Sequence, residues 1–335
     1  MSKAQLGQFM TTNSVYILQN FDIPQNISTI IEPFTGNADL IAFVNHKRTN
    51  TFFECYDIDP KTETTIKRDT ILDPPDYNNK YIITNPPYLA RNKSKDKKAF
   101  DKYEMNDLYK CFIKEISGKN HCDGGIIIVP LNFWCSIRKM DVDLRCLFLK
   151  TYRVCHVNVF EDQVFDDTGY GVCSFQFELR NNENDDCCIP FIFFPENKKL
   201  LIKLENYTIG EELYNLNNNN TYKISRLISG NTPNTNILVK CIDDKGKQNI
   251  SMSIVDDKDI FYDNTPNKSA RTFATLIITP VISKEMQKTL VKSFNEFLME
   301  KREKYNSLFM SNYREGGRKR ISFELVYDIV GHLLN

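Results

Sequence analysis

Between residues 27 and about 180, short β-branched and aromatic runs alternate with stretches that carry apolar residues at helical spacing. This alternation constrains the fold more than any other feature of the chain, because a strand followed by a helix returns to its sheet by a crossover and so builds a parallel sheet. The runs that read as strands are ISTII (27–31), TFFECYDI (51–58), TTIKR (64–68), YIIT (81–84), GIIIVP (125–130), VCHVNVF (154–160) and VCSFQFEL (172–179). Helical spacing marks DLIAFVNHK (39–47), KAFDKYEMNDLYKCFIKEI (98–116) and DVDLRCLFLKTY (141–152). The last two strands are joined by EDQVFDDTGYG, too short for a crossover helix, so the sheet is expected to finish in an antiparallel hairpin. Together these elements predict a doubly wound, seven-stranded, mostly parallel α/β sheet over residues 1–185.

After about residue 185 the character changes to NNENDDCC and then YNLNNNNTYKIS, asparagine-rich stretches that suit exposed loops. A second domain is expected over 186–335. It ends in SKEMQKTLVKSFNEFLMEKREKYNSLFM, whose Met286, Leu290, Phe294, Phe297, Tyr305 and Leu308 share one helical face that is expected to pack on its own domain.

With 43 basic and 43 acidic residues the chain has no net field, so any nucleic-acid binding must rest on local basic surfaces. The ten cysteines include no C-x-x-C pair, and none of the four histidines is close to a cysteine cluster, which argues against zinc and for free thiols in a reducing compartment. The N-terminal stretch has no apolar signal core and no run of about 18 apolar residues occurs. An intracellular protein is therefore expected.

An open parallel sheet binds ligands at the carboxyl ends of its strands, and each end here carries a polar or flexible residue. The first ends in EPFTGN, where Glu32 precedes a turn containing Gly36; the second ends in YDIDP, with Asp57 standing 25 residues after Glu32, near the spacing of a ribose-binding carboxylate. Asp69 follows the third strand. Asn85-Pro86-Pro87-Tyr88 follows the fourth, its two prolines fixing a rigid exit. Singly, each of these residues could equally be a turn residue or a solvated charge. The chain has neither G-x-G-x-x-G nor G-K-[ST], which argues against a dinucleotide or a triphosphate.

Taken in order, these motifs resemble the S-adenosylmethionine-dependent adenine-N6 DNA methyltransferases of restriction-modification systems. EPFTGNADL looks like the family's first cofactor motif, YDIDP its second, Asp69 its third and TNPPY its catalytic fourth, while LGQFMTT (6–12) resembles the segment that covers the methionine end of the cofactor. The order is that of the gamma group, the TaqI-like enzymes, and the likeness spans residues 6 to 180. In the first motif Thr35 replaces the usual second small residue. The resemblance implies S-adenosyl-L-methionine bound by Thr11, Glu32, Phe34, Gly36, Asp57, Ile58, Asp69 and Asn85, and catalysis by Asn85, Pro86, Pro87 and Tyr88. An adenine amino group is a weak nucleophile, so the site needs acceptors aimed at its hydrogens; the Asn85 side-chain oxygen and Pro86 carbonyl would supply them. With no Pro-Cys dipeptide, the usual context of a cysteine nucleophile for cytosine-C5 methylation is missing.

The target base must leave the duplex. Tyr88 would stack on it, and by the family's pattern a second aromatic lies on the strand after GYG, where Phe175 and Phe177 alternate onto one face, with Phe177 preferred. Arg91, Lys93, Lys95, Lys97 and Lys98 follow the catalytic motif and suit phosphates of double-stranded DNA, although such a run can equally be a solvated loop. Near the C-terminus Arg314, Arg318, Lys319 and Arg320 flank Gly316-Gly317, as would a flexible segment entering a groove. The resemblance implies either a restriction-modification system, with a cognate restriction endonuclease as partner, or a viral or orphan modifier, in a prokaryotic or viral setting. The alternatives are a same-fold methyltransferase acting on RNA guanine or protein glutamine, and a non-catalytic DNA-binding subunit. The covering segment and the long C-terminal part argue against the glutamine enzymes. Intact Asn85, Tyr88 and Asp57 argue against the subunit.

Overall fold

The computed structural model describes residues 11–48, 51–165, 171–181, 188–217, 221–244, 247–264, 272–310 and 318–335. The chain divides into two compact units, one of residues 1–133 with 137–203, the other of 134–136 with 204–335.

In the first unit nine strands form one sheet: β1 (Thr29–Glu32), β2 (Phe52–Asp57), β3 (Ile66–Lys67), β4 (Tyr81–Thr84), β5 (Gly124–Pro130), β6 (Tyr152–Phe160), β7 (Val172–Leu179), β8 (Cys188–Phe194) and β9 (Lys198–Lys203). Their order is β3-β2-β1-β4-β5-β7-β6-β8-β9. Pairing is parallel from β3 through β5 and between β6 and β8, and antiparallel where β7 inserts between β5 and β6 and where β9 closes the edge. β4 and β5 are buried along their whole length, which accounts for their unbroken apolar sequences. From β1 the chain steps outward to β2 and β3, then returns to the other side of β1 as β4. The switch point lies between β1 and β4, where such sheets open a crevice.

The helices of six or more residues here are α1 (Asp39–Lys47), α2 (Lys98–Tyr103), α3 (Leu108–Ile116) and α4 (Lys139–Thr151). The stretch read as a single helix over 98–116 is two. Glu104 takes a left-handed conformation at φ 53° and Asp107 an extended one, so the intervening residues redirect the chain. Residues 89–91 are strapped to this break: the Leu108 N–H donates to the Leu89 carbonyl at 3.2 Å and the Arg91 N–H to the Asn106 carbonyl at 2.9 Å.

Two expectations are corrected here. The sheet has nine strands rather than seven, and the first unit runs to Lys203 rather than 185. The hairpin of β6 and β7 is antiparallel as expected, but it is not the edge: β8 pairs with β6 in parallel, Val157 opposite Phe191 through Phe160 opposite Phe194. An asparagine- and acid-rich stretch before Cys188 looks the same whether it joins two domains or two strands of one sheet.

The second unit holds an antiparallel four-stranded sheet of β10 (Lys223–Arg226), β11 (Ile237–Lys240), β12 (Ser251–Ile254) and β13 (Phe273–Thr279) in the order β10-β13-β11-β12, with helices α5 (Lys284–Tyr305) and α6 (Phe323–Leu333). Ser283 caps α5 by accepting the Met286 N–H. Leu290, Phe294, Tyr305 and Leu308 are buried as the stripe predicts, whereas Met286 is exposed and Phe297 half-buried. The helix is locked to the edge strand by Asn295, whose carboxamide accepts the Met252 N–H at 2.9 Å and donates to its carbonyl at 3.0 Å. Arg302 makes a buried ion pair with Asp243 at 2.8 Å, and Asp243 also accepts the N–H groups of Asn249 and Ile250. Those extra donors are what make a buried pair tolerable.

Among the described residues no helix is long and apolar enough to cross a membrane, and no cluster of His, Cys, Asp or Glu could hold a metal.

Candidate active site

The loop leaving β1 is folded by short-range chemistry. Thr35 donates its N–H to the Tyr56 carbonyl at 2.9 Å, and its hydroxyl lies within hydrogen-bond distance of the Glu32 and Tyr56 carbonyls. The departure from a small residue thus stitches the β1 loop to the end of β2. Gly36 follows at φ 52°, a left-handed conformation that glycine adopts without strain. Its N–H donates to Asp57 Oδ2 at 2.9 Å, while Asp57 Oδ1 accepts the Asp59 N–H at 2.8 Å.

Glu32 sits buried at the switch point, where its Oε1 accepts the Thr84 hydroxyl at 2.6 Å and the Phe34 N–H at 3.2 Å. Oε2 is buried without a hydrogen-bond partner among the described residues. Burial pushes the carboxyl up to about 8, against the opposing pull of the Thr84 and Phe34 hydrogen bonds and helped by the negative charge of Asp57. The native state therefore keeps a proton that the unfolded chain releases above the ordinary value of 4.5. Stability falls as pH rises from there to about 8, because in that window the folded state binds more protons. Glu32→Gln is expected to remove this slope. Urea denaturation should find the variant equal to wild type near pH 5 and more stable at pH 9 by on the order of a few kcal/mol; parallel pH profiles would place the titration elsewhere.

Beyond these strand ends lies a cavity of about 410 Å³. Phe34, Gly36, Asp57, Ile58, Asp69 and Asn85 line it, joining residues from the ends of β1, β2, β3 and β4. Thr11 and Glu32 are not part of the lining. Both are buried, Thr11 with its Oγ1 accepting the Asn85 Nδ2–H at 3.1 Å. Asp69 shapes the floor through Oδ1, which accepts the Ile71 and Leu72 N–H groups. Sequence reasoning missed Arg68, Leu72, Phe100 and Leu108, which also line the cavity. Phe100 and Leu108 belong to the 98–116 stretch, and helical spacing does not distinguish an apolar wall from a packed core.

At the end of β4, Asn85 and Pro87 are half-buried while Pro86 and Tyr88 are buried. Tyr88 Oη lies 2.5 Å from Asn85 Oδ1 and 2.9 Å from the Ile128 carbonyl, and its ring meets Tyr109 edge-on at 6.0 Å. The residue is 5 % exposed, so the expected open stacking face of Tyr88 is absent from this conformation.

Phe175 and Phe177 are corrected as well. Both are fully buried, Phe175 stacked on Phe133 and Phe177 edge-on to Phe148 and Tyr152. They share a face as their alternation predicts, but it is packed core. Of the preceding GYG only Gly171 lies within the described residues.

The basic loop after Tyr88 separates by role. Arg91 pairs with Asp101 at 2.5 Å, and the Lys97 ammonium donates to the Arg91 and Ser94 carbonyls, so both hold the loop together. Lys93, Lys95 and Lys98 are exposed, and the first two line the cavity. In the second unit Arg314 and the Gly316-Gly317 pair, like Leu6 to Met10 of the covering segment, lie outside the described residues. Arg318, Lys319 and Arg320 belong to a strap rather than a loose segment: the Lys319 carbonyl accepts the Asp243 N–H, Ile321 donates to the Cys241 carbonyl, and Arg320 bridges Ile242.

The sequence matches no protein-family model and no curated protein. Among solved structures, the fold is similar to a modification subunit assigned to a type I restriction enzyme of Vibrio vulnificus (15% identity, 57% of this chain and 48% of that one, TM-score 0.43). It is also similar to a class I S-adenosylmethionine-dependent methyltransferase of Listeria monocytogenes (12%, 56% and 67%, 0.42). A third is a type I restriction-modification methyltransferase subunit of Streptococcus thermophilus (14%, 63% and 50%, 0.40). This chain spans about half the length of the first and third.

Proposed function

We propose that the chain transfers a methyl group from S-adenosyl-L-methionine to the N6 amino group of an adenine flipped out of duplex DNA, and that its second unit selects the target sequence. The observation that carries this reading is the meeting of Phe34, Gly36, Asp57, Ile58, Asp69 and Asn85 around one cavity at the carboxyl ends of four parallel strands. The cofactor fits these residues. About 410 Å³ suits a small-molecule site, and the Asp57 carboxylate, which lines it and accepts the Gly36 and Asp59 N–H groups, belongs to a group with about four acceptor positions.

When bound, S-adenosyl-L-methionine supplies an activated sulfonium methyl. Asp57 would accept from the ribose hydroxyls, while Ile58, Phe34 and Leu72 offer apolar surface to the adenine ring. Asn85 Oδ1 would accept from the target amino group and direct its lone pair, a gain realised chiefly in the transition state. Lys93 and Lys95 stand at the cavity where phosphates beside an extruded nucleotide would pass. Within a restriction-modification system the partner would be an endonuclease of the same specificity.

The test combines calorimetric titration of the cofactor with labelled-methyl transfer to duplex DNA, RNA and a glutamine-bearing protein substrate. Mass spectrometry of the digested DNA should find N6-methyladenine. Label in RNA guanine or protein glutamine would overturn the substrate, and cofactor binding without transfer to any of them would favour a non-catalytic subunit. Replacing Lys93 and Lys95 together with alanine is expected to weaken every duplex alike and to reduce the salt slope of binding by about two, one unit for each phosphate no longer neutralised. An unchanged slope would remove them from the DNA path.

A further inference from the structure

Asn85 is the group on which the proposed chemistry turns, and a carboxamide on a free rotor would spend most of its time misdirected. Its two ends are held. Nδ2 donates to Thr11 Oγ1 at 3.1 Å, and Oδ1 accepts from Tyr88 Oη at 2.5 Å. These partners come from opposite directions in the chain. Thr11 lies 74 residues before Asn85 and is itself buried, whereas Tyr88 belongs to the same rigid turn and is anchored by the Ile128 carbonyl of β5 at 2.9 Å.

We propose that Thr11 and the Tyr88 hydroxyl are positioning residues that clamp the Asn85 carboxamide, a role of the Tyr88 oxygen separate from any role of its ring. This rests on the methyl-transfer reading given above and adds to it the device that aims the acceptor. The stereochemistry allows substrate and clamp together. A carboxamide oxygen can accept two donors, so being held by a phenol and accepting from an amino group are compatible roles for one such oxygen. The phenol proton has Asn85 Oδ1 at 2.5 Å and the Ile128 carbonyl at 2.9 Å, and the shorter contact marks Asn85 as its main acceptor. Burial pushes the Tyr88 phenol well above its ordinary pKa, which keeps the hydroxyl a donor at neutral pH. Tyr109, packed edge-on to the Tyr88 ring, fixes the phenol from the α3 side.

A stacking residue and a clamping residue make opposite demands. Phenylalanine stacks as well as tyrosine but cannot donate. Tyr88→Phe is therefore expected to lower kcat about five- to ten-fold, the worth of one hydrogen bond, with KM for cofactor and duplex and the 2-aminopurine signal of base extrusion unchanged. Thr11→Val should do the same and Thr11→Ser should restore the rate. A readout independent of turnover is the side-chain amide signal of Asn85 in asparagine-selective ¹⁵N spectra, identified by its loss in Asn85→Ala. Both Tyr88→Phe and Thr11→Val should shift and broaden it. An unmoved signal in both variants overturns the clamp even if the protein methylates nothing; a moved signal with an inactive wild type would instead leave the clamp standing and sink the methyl-transfer reading. Wild-type kcat in Tyr88→Phe, with lost extrusion in Tyr88→Ala, would return Tyr88 to stacking.

Discussion

Asn85→Ala is expected to leave S-adenosyl-L-methionine affinity within about two-fold and to lower methyl transfer by about 10²–10³, the usual consequence of removing one preorganised group that acts on the developing charge. The asymmetry follows from when the interaction matters. Asn85 contributes one side chain to a cavity wall built from four strand ends, so its loss uncovers little of the cofactor surface. The acceptor, by contrast, is needed only as the amino nitrogen gains positive character. The substitution also strips a partner from Thr11 and from Tyr88, although the Tyr88 hydroxyl keeps the Ile128 carbonyl. A stability loss of about 1 kcal/mol is expected on that account. Cofactor titration, single-turnover methyl transfer and thermal denaturation on the same preparation separate the three effects. Near-wild-type turnover would end the catalytic assignment of Asn85; a cofactor affinity lost in proportion to the rate would make it a binding residue.

The strand ends were legible because two physical rules fix them jointly. Apolar runs mark β1, β2, β4 and β5, and the residue after each run must sit at the carboxyl edge of a parallel sheet. Asp57 and Asn85 could therefore be placed together without knowing any distance. Roles that depend on which neighbour a side chain finds could not be read this way. Lys97 and Lys93 are the same residue type in the same loop, yet one is spent on backbone carbonyls and the other lines the cavity. Arg91 is paired by Asp101, which belongs to the following helix. The end of the first unit was illegible for a different reason. β8 and β9 follow a polar stretch that reads as a linker, and only the pairing of Phe191 with Val157 shows that the sheet continues. In the second unit, β10 to β12 have four residues each, too few for alternation to stand out from loop sequence.

Phe177→Ala is expected to destabilise the first unit by about 3–5 kcal/mol, as for a fully buried aromatic ring replaced by a methyl group. The alternation of Phe175 and Phe177 cannot by itself tell a ring facing a flipped base from a ring facing the core, since both faces are apolar. Its surroundings decide. Phe177 lies 4.8 Å from Tyr152 and 5.2 Å from Phe148, ring to ring. On the neighbouring strand the position paired with it is Gly125, where a Cβ would stand 3.0 Å from the Phe177 ring and 2.5 Å from the Ile82 carbonyl. The glycine therefore makes room for the ring between two packed strands, and truncating Phe177 leaves a hole that the sheet backbone cannot close. Phe177→Leu, which refills most of that volume, should cost much less, under about 2 kcal/mol. Urea denaturation resolved by hydrogen exchange in β5 and β7 is the measurement, because it reports the first unit apart from the second. The affinity of the folded fraction for a duplex carrying an extruded base should be unchanged in both variants. A Phe177→Ala protein as stable as wild type, with 2-aminopurine extrusion lost, would return this ring to the target base.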